Sequence, residues 1–296
     1  MKPFGYVAAR DAKHAIALLA EHGAAAKILA GGTDLLVELK DAQHPPGVVV
    51  DISRVLDLKD ISLTDDGLRI GALATHGEIM RSAVIRDLCP ALVEAAHSIG
   101  AVQTRNLGTI GGNLMTCVPS MDSGPALIAL EAQVTVAGPD GQRRMPLANL
   151  FVGPRKTSLA CGELLVDIII PKPNLGKPAA FQKFGLRKGQ ALALVNVAAS
   201  LWVDRERTAF VAPQIALGAV APTVIRAPRA EAFLEGKAIT DEVMAEAGRI
   251  AATEAKPISD FRASADYRRD LIAVLVKRTL ATAYARTTAI TKELVS

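Results

Sequence analysis

Two short segments set glycine pairs beside small hydroxyl and amide side chains: Ala30-Gly31-Gly32-Thr33-Asp34 and Gly108-Thr109-Ile110-Gly111-Gly112-Asn113-Leu114-Met115-Thr116. Adjacent glycines permit positive φ and remove the Cβ atoms that would keep backbone N–H groups from converging on an anion. Thr33, Thr109, Asn113 and Thr116 add short side-chain donors. Either segment alone reads as a tight connection. Together, from two distant parts of the chain, they point to a two-sided grip on a pyrophosphate. Neither carries the Gly-Lys-Ser/Thr ending of a P-loop, and neither has the Gly-x-Gly-x-x-Gly spacing of a Rossmann fold, so nicotinamide-type binding by that fingerprint is unsupported.

The surroundings of the first segment predict a small βαβ unit. Asp11 caps a helix with Ala15, Ile16, Leu18 and Leu19 on one face, and His22-Gly23 closes it. Lys27 to Ala30 reads as a short buried strand entering the glycine pair, Leu35 to Leu39 as a helix, and residues 47–52, after Pro45-Pro46, as a second strand. Near residue 60 the pattern becomes a hairpin, 61–63 and 67–72 around Asp65-Asp66-Gly67. Helices are expected at 75–82 and 90–99, and strand or buried helix at 126–136 and 163–170, stopping at Pro171.

The stretch Pro171 to Pro178 holds three prolines and a glycine and reads as a linker. Beyond it, strands are expected at 194–203, with Val195, Val197 and Ala199 on one side, and at 214–220. Helices are expected at 228–236, 241–254 and 264–287. The last is given an apolar face of Tyr267, Leu271, Val274, Leu275 and Leu280, with Arg268, Arg269, Lys277 and Arg278 elsewhere.

A chain of 296 residues is near the size, about 250–300 residues, at which single cores stop growing, so two domains are expected, divided in the proline-rich stretch. Half the residues are apolar and 22% charged, the balance of a soluble globular protein. The net charge of +4 is scattered among 30 acidic residues, without the concentrated basic face that nucleic acid needs. The N-terminal stretch is broken by Asp11, Lys13 and Glu21 and is no signal peptide, and no apolar run reaches the roughly 18 residues of a membrane span. A cytoplasmic protein is expected. Cys89, Cys117 and Cys161 are far apart and form no CxxC pair, which argues against a disulfide framework and against a zinc or iron–sulfur site in this chain.

The motifs Lys27-Ile-Leu-Ala-Gly-Gly-Thr-Asp-Leu35 and Arg105-Asn-Leu-Gly-Thr-Ile-Gly-Gly-Asn113 resemble those of the FAD-binding medium subunits of molybdenum hydroxylases, the carbon monoxide dehydrogenase and xanthine dehydrogenase family. Phe181 to Arg187 and Pro257 to Arg268 look like the start and end of that family's C-terminal domain. The resemblance implies an α+β chain. A two-subdomain FAD-binding fold of the vanillyl-alcohol-oxidase/PCMH type spans 1–176, with subdomains of about 1–58 and 59–176. A smaller α+β domain, a three-stranded sheet with helices, spans 177–296.

It also implies a set of cofactor contacts. Ile28, Leu29, Ala30, Gly31, Gly32, Thr33 and Asp34 form the first pyrophosphate loop, with backbone amides from Ala30 to Asp34 on the phosphates. Thr109, Gly111, Gly112 and Asn113 form the second, with Thr116 against the cofactor beyond it and Asp122 accepting from a ribose or ribityl hydroxyl. Ile99 and Gly100 pack near the isoalloxazine, and Leu165 and Lys183 meet the flavin's edge, where the lysine would stabilise negative charge on the reduced ring. No catalytic residue and no metal ligand is assigned. His97 receives no role, Cys117 fills space as a small apolar side chain, and no cysteine-rich insertion like that of the hydroxybenzoyl-CoA reductase branch is present.

The activity so implied is electron relay. A large subunit would hold molybdopterin and oxidise substrate, a small one would carry 2Fe–2S clusters, and this chain would pass electrons through FAD to NAD, a quinone or another acceptor, in a dimer of heterotrimers. The alternative enzyme is a stand-alone FAD-dependent dehydrogenase of the same superfamily, which would add a His or Tyr base. With only 3 tyrosines and no compelling His motif, the sequence disfavours it. A non-enzymatic nucleotide-binding scaffold is the third reading.

Overall fold

A computed structural model describes residues 2–288, so the expected end of the second domain, 289–296, lies outside the described residues. The chain opens with β1 (Gly5–Ala8), α1 (Ala12–His22), β2 (Ala26–Leu29), α2 (Leu35–Asp41) and β3 (Val48–Asp51), forming a parallel sheet of order β1-β3-β2. β1 went unread in the sequence because Gly5-Tyr6-Val7-Ala8 is short and weakly patterned. Asp11 caps α1 through the His14 amide at 2.7 Å, and Ala15, Leu18 and Leu19 are buried beneath it. Val48, Val49 and Val50 are all buried because β3 is the central strand.

A second unit follows: β4 (Ile61–Thr64), β5 (Gly67–Gly71), the helices α3 (His76–Arg81), α4 (Ala83–Leu88), α5 (Pro90–Ser98), α6 (Val102–Leu107), α7 (Ile110–Thr116) and α8 (Ser123–Ala129), then β6 (Gln133–Gly138), β7 (Gly141–Pro146), β8 (Phe151–Gly153), β9 (Lys156–Thr157) and β10 (Leu164–Pro171). Its antiparallel sheet has the order β4-β5-β10-β6-β7. The 126–136 stretch, open between strand and buried helix in the sequence, divides: α8 is buried along its whole length, and β6 begins four residues after it. Helix burial and strand burial produce the same unbroken apolar run, so periodicity could not separate them.

The last unit is β11 (Ala179–Gly185), β12 (Ala193–Val203), β13 (Phe210–Gly218), β14 (Ile225–Arg226), α9 (Pro228–Leu234), α10 (Asp241–Glu254) and α11 (Ala265–Ala285). Three long antiparallel strands and the two-residue edge β14 form its sheet. β12 is buried on both faces. Val195, Val197 and Ala199 join the core beneath α10 and α11, while Ala198 joins the core around α8, and Ser200 Oγ donates to the Ala129 carbonyl at 2.6 Å. The apolar face expected for α11 is corrected. Arg268, Ile272, Leu275, Val276, Thr279, Leu280 and Ala283 are buried, whereas Tyr267 and Val274 are exposed. Arg268 enters the core with one guanidinium nitrogen on the Leu194 carbonyl at 2.6 Å and another on Asp260 at 3.0 Å, which pairs the buried charge while its Nε stays without a partner among the described residues.

The Pro171–Pro178 stretch is no loose linker. Pro171 ends β10, a 3-10 turn spans Lys172–Asn174, and Lys177 is 1% exposed with its Nζ on the Ala212 carbonyl at 2.7 Å. Burial lowers the Lys177 pKa from 10.5 to about 8, with Arg226 acting the same way and Glu131, Glu231 and Glu235 opposing. Between those values the unfolded chain holds the Lys177 proton and the folded chain does not, so this residue's contribution to stability rises with pH. Between about pH 8 and pH 10, wild type should gain about 2 kcal/mol relative to K177M in denaturant unfolding. A gap between the two proteins that stays constant with pH would show that the Lys177 charge is not desolvated.

Candidate functional site

The first glycine segment lies between the end of β2 and the start of α2. Gly32 has φ +73°, which a glycine adopts freely. Gly31 is required for a different reason: a Cβ there would lie 1.9 Å from the Leu107 carbonyl oxygen and 3.1 Å from Gly108 Cα. The two glycine segments are therefore pressed together backbone to backbone. Among the described residues, the amides of Gly31, Gly32, Thr33 and Asp34 donate no hydrogen bond. Four polar N–H groups are thus left to a ligand or to water, the donor set that a pyrophosphate takes.

The second segment departs from its expected character as a loop of converging amides. It holds the whole of α7, capped by Thr109. The Gly112 amide donates to Thr109 Oγ1 at 3.0 Å, the Asn113 amide to the Thr109 carbonyl at 3.0 Å, Ile110 to Ala74 O at 2.9 Å and Gly111 to Ala72 O at 2.8 Å. A Cβ on Gly111 would lie 2.6 Å from that Ala72 oxygen. Glycine is needed there for close packing against residues 72–74, and the amides of residues 110–113 are spent on the protein, while that of Thr109 donates no hydrogen bond among the described residues. Besides the Thr109 amide, side chains are what this half of the site has to offer. Asn113 Oδ1 accepts from Ser123 Oγ at 2.5 Å, and its NH2 group has no partner among the described residues. Thr116 Oγ1 donates to Gly112 O at 2.8 Å and keeps its lone pairs.

Both segments line one cavity of about 860 Å³. Ile28, Ala30, Gly31, Gly32, Thr33 and Asp34 form one side and Thr109, Gly111, Gly112, Asn113 and Thr116 another, with Ile99, Gly100, Asp122 and Leu165 on further walls. Leu29 and Lys183 do not line it. Leu29 sits in β2, where its carbonyl accepts from the Ile52 amide at 2.9 Å. The Lys183 ammonium is held by Asp122 at 2.5 Å and by the Ser98 carbonyl at 3.1 Å. Asp122, 5% exposed, also accepts from Asn196 Nδ2 at 2.8 Å. Burial pushes the Asp122 pKa up, and Lys183 is the main group opposing that shift. The carboxylate that sequence offers to a hydroxyl of the cofactor is thus already engaged from both sides, with lone pairs remaining for one more donor.

Three parts of the wall were not foreseen. The β8–β9 hairpin contributes Arg155 and Thr157, and Arg155 pairs with Glu38 at 2.5 Å. The turn between β11 and β12 contributes Gln190, Ala191 and Leu192, and the Gln190 amide reaches the Gly100 carbonyl at 3.2 Å. His76 lines the cavity from the start of α3. The sequence signal at His76 was a capping box, Thr75 with Glu78, which announces a helix start and says nothing of a site. Cys117 is buried with a left-handed backbone, and His97 is exposed on α5. No group of three or more His, Cys, Asp or Glu placed to hold a metal is found among the described residues.

The family described as FAD binding domain in molybdopterin dehydrogenase matches residues 2–173, and that described as CO dehydrogenase flavoprotein C-terminal domain matches residues 179–283. The chain is 37% identical to the 6-hydroxypseudooxynicotine dehydrogenase complex subunit alpha of Paenarthrobacter nicotinovorans, covering 97% of both chains. It is 34% identical to the carbon monoxide dehydrogenase medium chain of Hydrogenophaga pseudoflava, covering 96% of this chain and 98% of that one. A solved structure of carbon monoxide dehydrogenase from that organism, lacking the Mo-pyranopterin moiety of its molybdenum cofactor, superposes with a TM-score of 0.91 at 34% identity, covering 97% of this chain and 99% of the other.

Proposed function

The chain belongs to the family of FAD-binding medium subunits of molybdenum hydroxylases, and from that premise we propose that it is the electron relay of a multi-subunit oxidoreductase. It receives electrons from 2Fe–2S clusters on a small partner subunit, while a large molybdopterin subunit oxidises the substrate. It delivers them to an external acceptor, NAD, a quinone or another carrier. The complex we propose is a dimer of heterotrimers. Residues 1–176 hold the cofactor and 177–296 close one wall of its site. Three free cysteines, with Cys161 exposed, suit a reducing compartment, and we place the protein in the cytoplasm. No helix among the described residues is long and apolar enough to cross a membrane.

The observation that carries this reading is the meeting of Gly31 and Leu107-Gly108 on the wall of an 860 Å³ cavity that reaches from the parallel sheet to the turn before β12. The free amides of 31–34 would hold the pyrophosphate, and Asn113 and Thr116 would add side-chain contacts. Bound FAD supplies a carrier that takes electrons singly and releases them as a pair. The chain's own part is to hold that carrier and keep its edge accessible.

Native purification tests the reading. The chain should co-elute with a large and a small partner and show a flavin absorption band, and substrate should bleach the flavin only in the complex. Substrate-driven bleaching by the isolated chain would instead establish a stand-alone dehydrogenase. Failure to take up FAD, alone and with partners, would leave a nucleotide-binding scaffold.

A further inference from the structure

His76 is the first residue of α3 and is 2% exposed. Its segment is bonded to the second glycine run: the His76 amide donates to Gly108 O at 3.1 Å, and Thr75 forms a β-bridge with Thr109. Gly108 is the point at which everything meets. A Cβ built there would lie 3.6 Å from His76 Cδ2 and 3.6 Å from Thr33 Oγ1, and the Gly31 backbone presses on the same residue. The imidazole therefore stands at the junction of the two glycine segments, on the wall of the cavity.

The ring makes no hydrogen bond to the described residues, and its Nδ1 is fully buried without a partner. Burial, with the charge of Arg105, lowers its pKa to about 4, so near neutral pH it carries a single N–H. Nδ1 is unpartnered in either tautomer, and Nε2, which is not fully buried, is the nitrogen that can meet a ligand; with the proton on Nε2 the ring presents a donor there. Nε2 is bonded to Cδ2, the atom nearest Gly108. The second glycine segment spends the amides of residues 110–113 on the protein and leaves only that of Thr109 without an acceptor among the described residues, so this N–H would add a second donor on that side.

We propose that His76 is a pyrophosphate-binding residue, donating its Nε2–H to a phosphate oxygen of the bound dinucleotide where the two glycine segments meet. The assignment rests on the FAD reading above.

The test compares His76→Gln, whose amide nitrogen reaches the place of Nε2, with His76→Asn, whose amide reaches only that of Nδ1, and with His76→Leu, which has no donor. FAD dissociation constants and ADP competition constants are measured on the flavin-depleted protein, purified with whatever partners co-elute. The flavin-free melting temperature is followed in parallel. H76N and H76L should bind FAD and ADP about tenfold more weakly than wild type, about 1.4 kcal/mol, and H76Q within threefold, with melting temperatures alike. Equal constants for H76Q and H76N overturn the assignment, as does FAD affinity lost without a parallel loss for ADP, or lost in step with melting temperature. Wild-type protein that takes up no FAD overturns the functional reading itself, not the role of His76 alone.

Discussion

Gly31→Ala should raise the FAD dissociation constant at least a hundredfold, while Gly112→Ala should change it far less. The two positions look equivalent in sequence, each one of a glycine pair. They differ in what a methyl group meets. At Gly31 it would lie 1.9 Å from a backbone carbonyl, that of Leu107, so the two glycine segments must part. Relief by a rotamer change is excluded because the obstacle is main chain. At Gly112 the neighbour it would meet among the described residues is the Thr109 hydroxyl, at 2.9 Å, a side-chain group that can turn aside at the cost of its cap on α7. Overpacking at Gly31 should also cost the flavin-free protein about 1–3 kcal/mol. Titration of both variants with FAD, with thermal melts of the flavin-free proteins, checks this. Similar affinities for the two variants would mean that the segments are not in contact as described.

Asp122→Ala should destabilise the protein by about 3–5 kcal/mol, the usual consequence of stranding one member of a buried ion pair. The side chains of Lys183 and Asp122 are 10% and 7% exposed, and without the carboxylate the ammonium retains only the Ser98 carbonyl. Lys183→Met in the Asp122→Ala background should restore most of the loss, because no uncompensated charge then remains. Denaturant unfolding of the two single variants and the double gives the coupling directly. The pair joins α8 and its approach to the first two strands of the last sheet, with Asn196 on β12 holding the other carboxylate oxygen. A D122A protein as stable as wild type would deny the pair its role in fixing that sheet against the cavity.

Much of this molecule follows from short-range chemistry. Asp11 before an amphipathic run and Gly23 after it bound α1, and Asp65-Asp66-Gly67 places the β4–β5 hairpin. The alternation Val195, Val197, Ala199 identifies one face of β12. The two glycine segments marked the cavity, because residue types that allow close backbone approach and present small donors are visible as letters. What they do there was not legible. One segment leaves four amides free and the other leaves only that of Thr109, a difference set in part by Ala72 and Ala74, which lie far from residues 110 and 111 in sequence and beside them in space.

The same limit applies to side chains. Asp122 and Lys183 are 61 residues apart, and each alone is an ordinary surface charge. Only packing of α8 on the last sheet buries them, and burial in low dielectric makes each the necessary partner of the other. Arg268 seemed to belong on the wet side of α11, and partners at Leu194 and Asp260 draw it inside. His76 announced a helix start and became part of a cavity wall because Gly108, brought against it by a long-range pairing, lacks a side chain. Sequence by itself determined many of the local elements and turn positions and the residue types that line the cavity, because those depend on neighbours along the chain. The tertiary structure alone decided which donors stay free and which charges are paired, because desolvation and hydrogen-bond competition depend on neighbours in space.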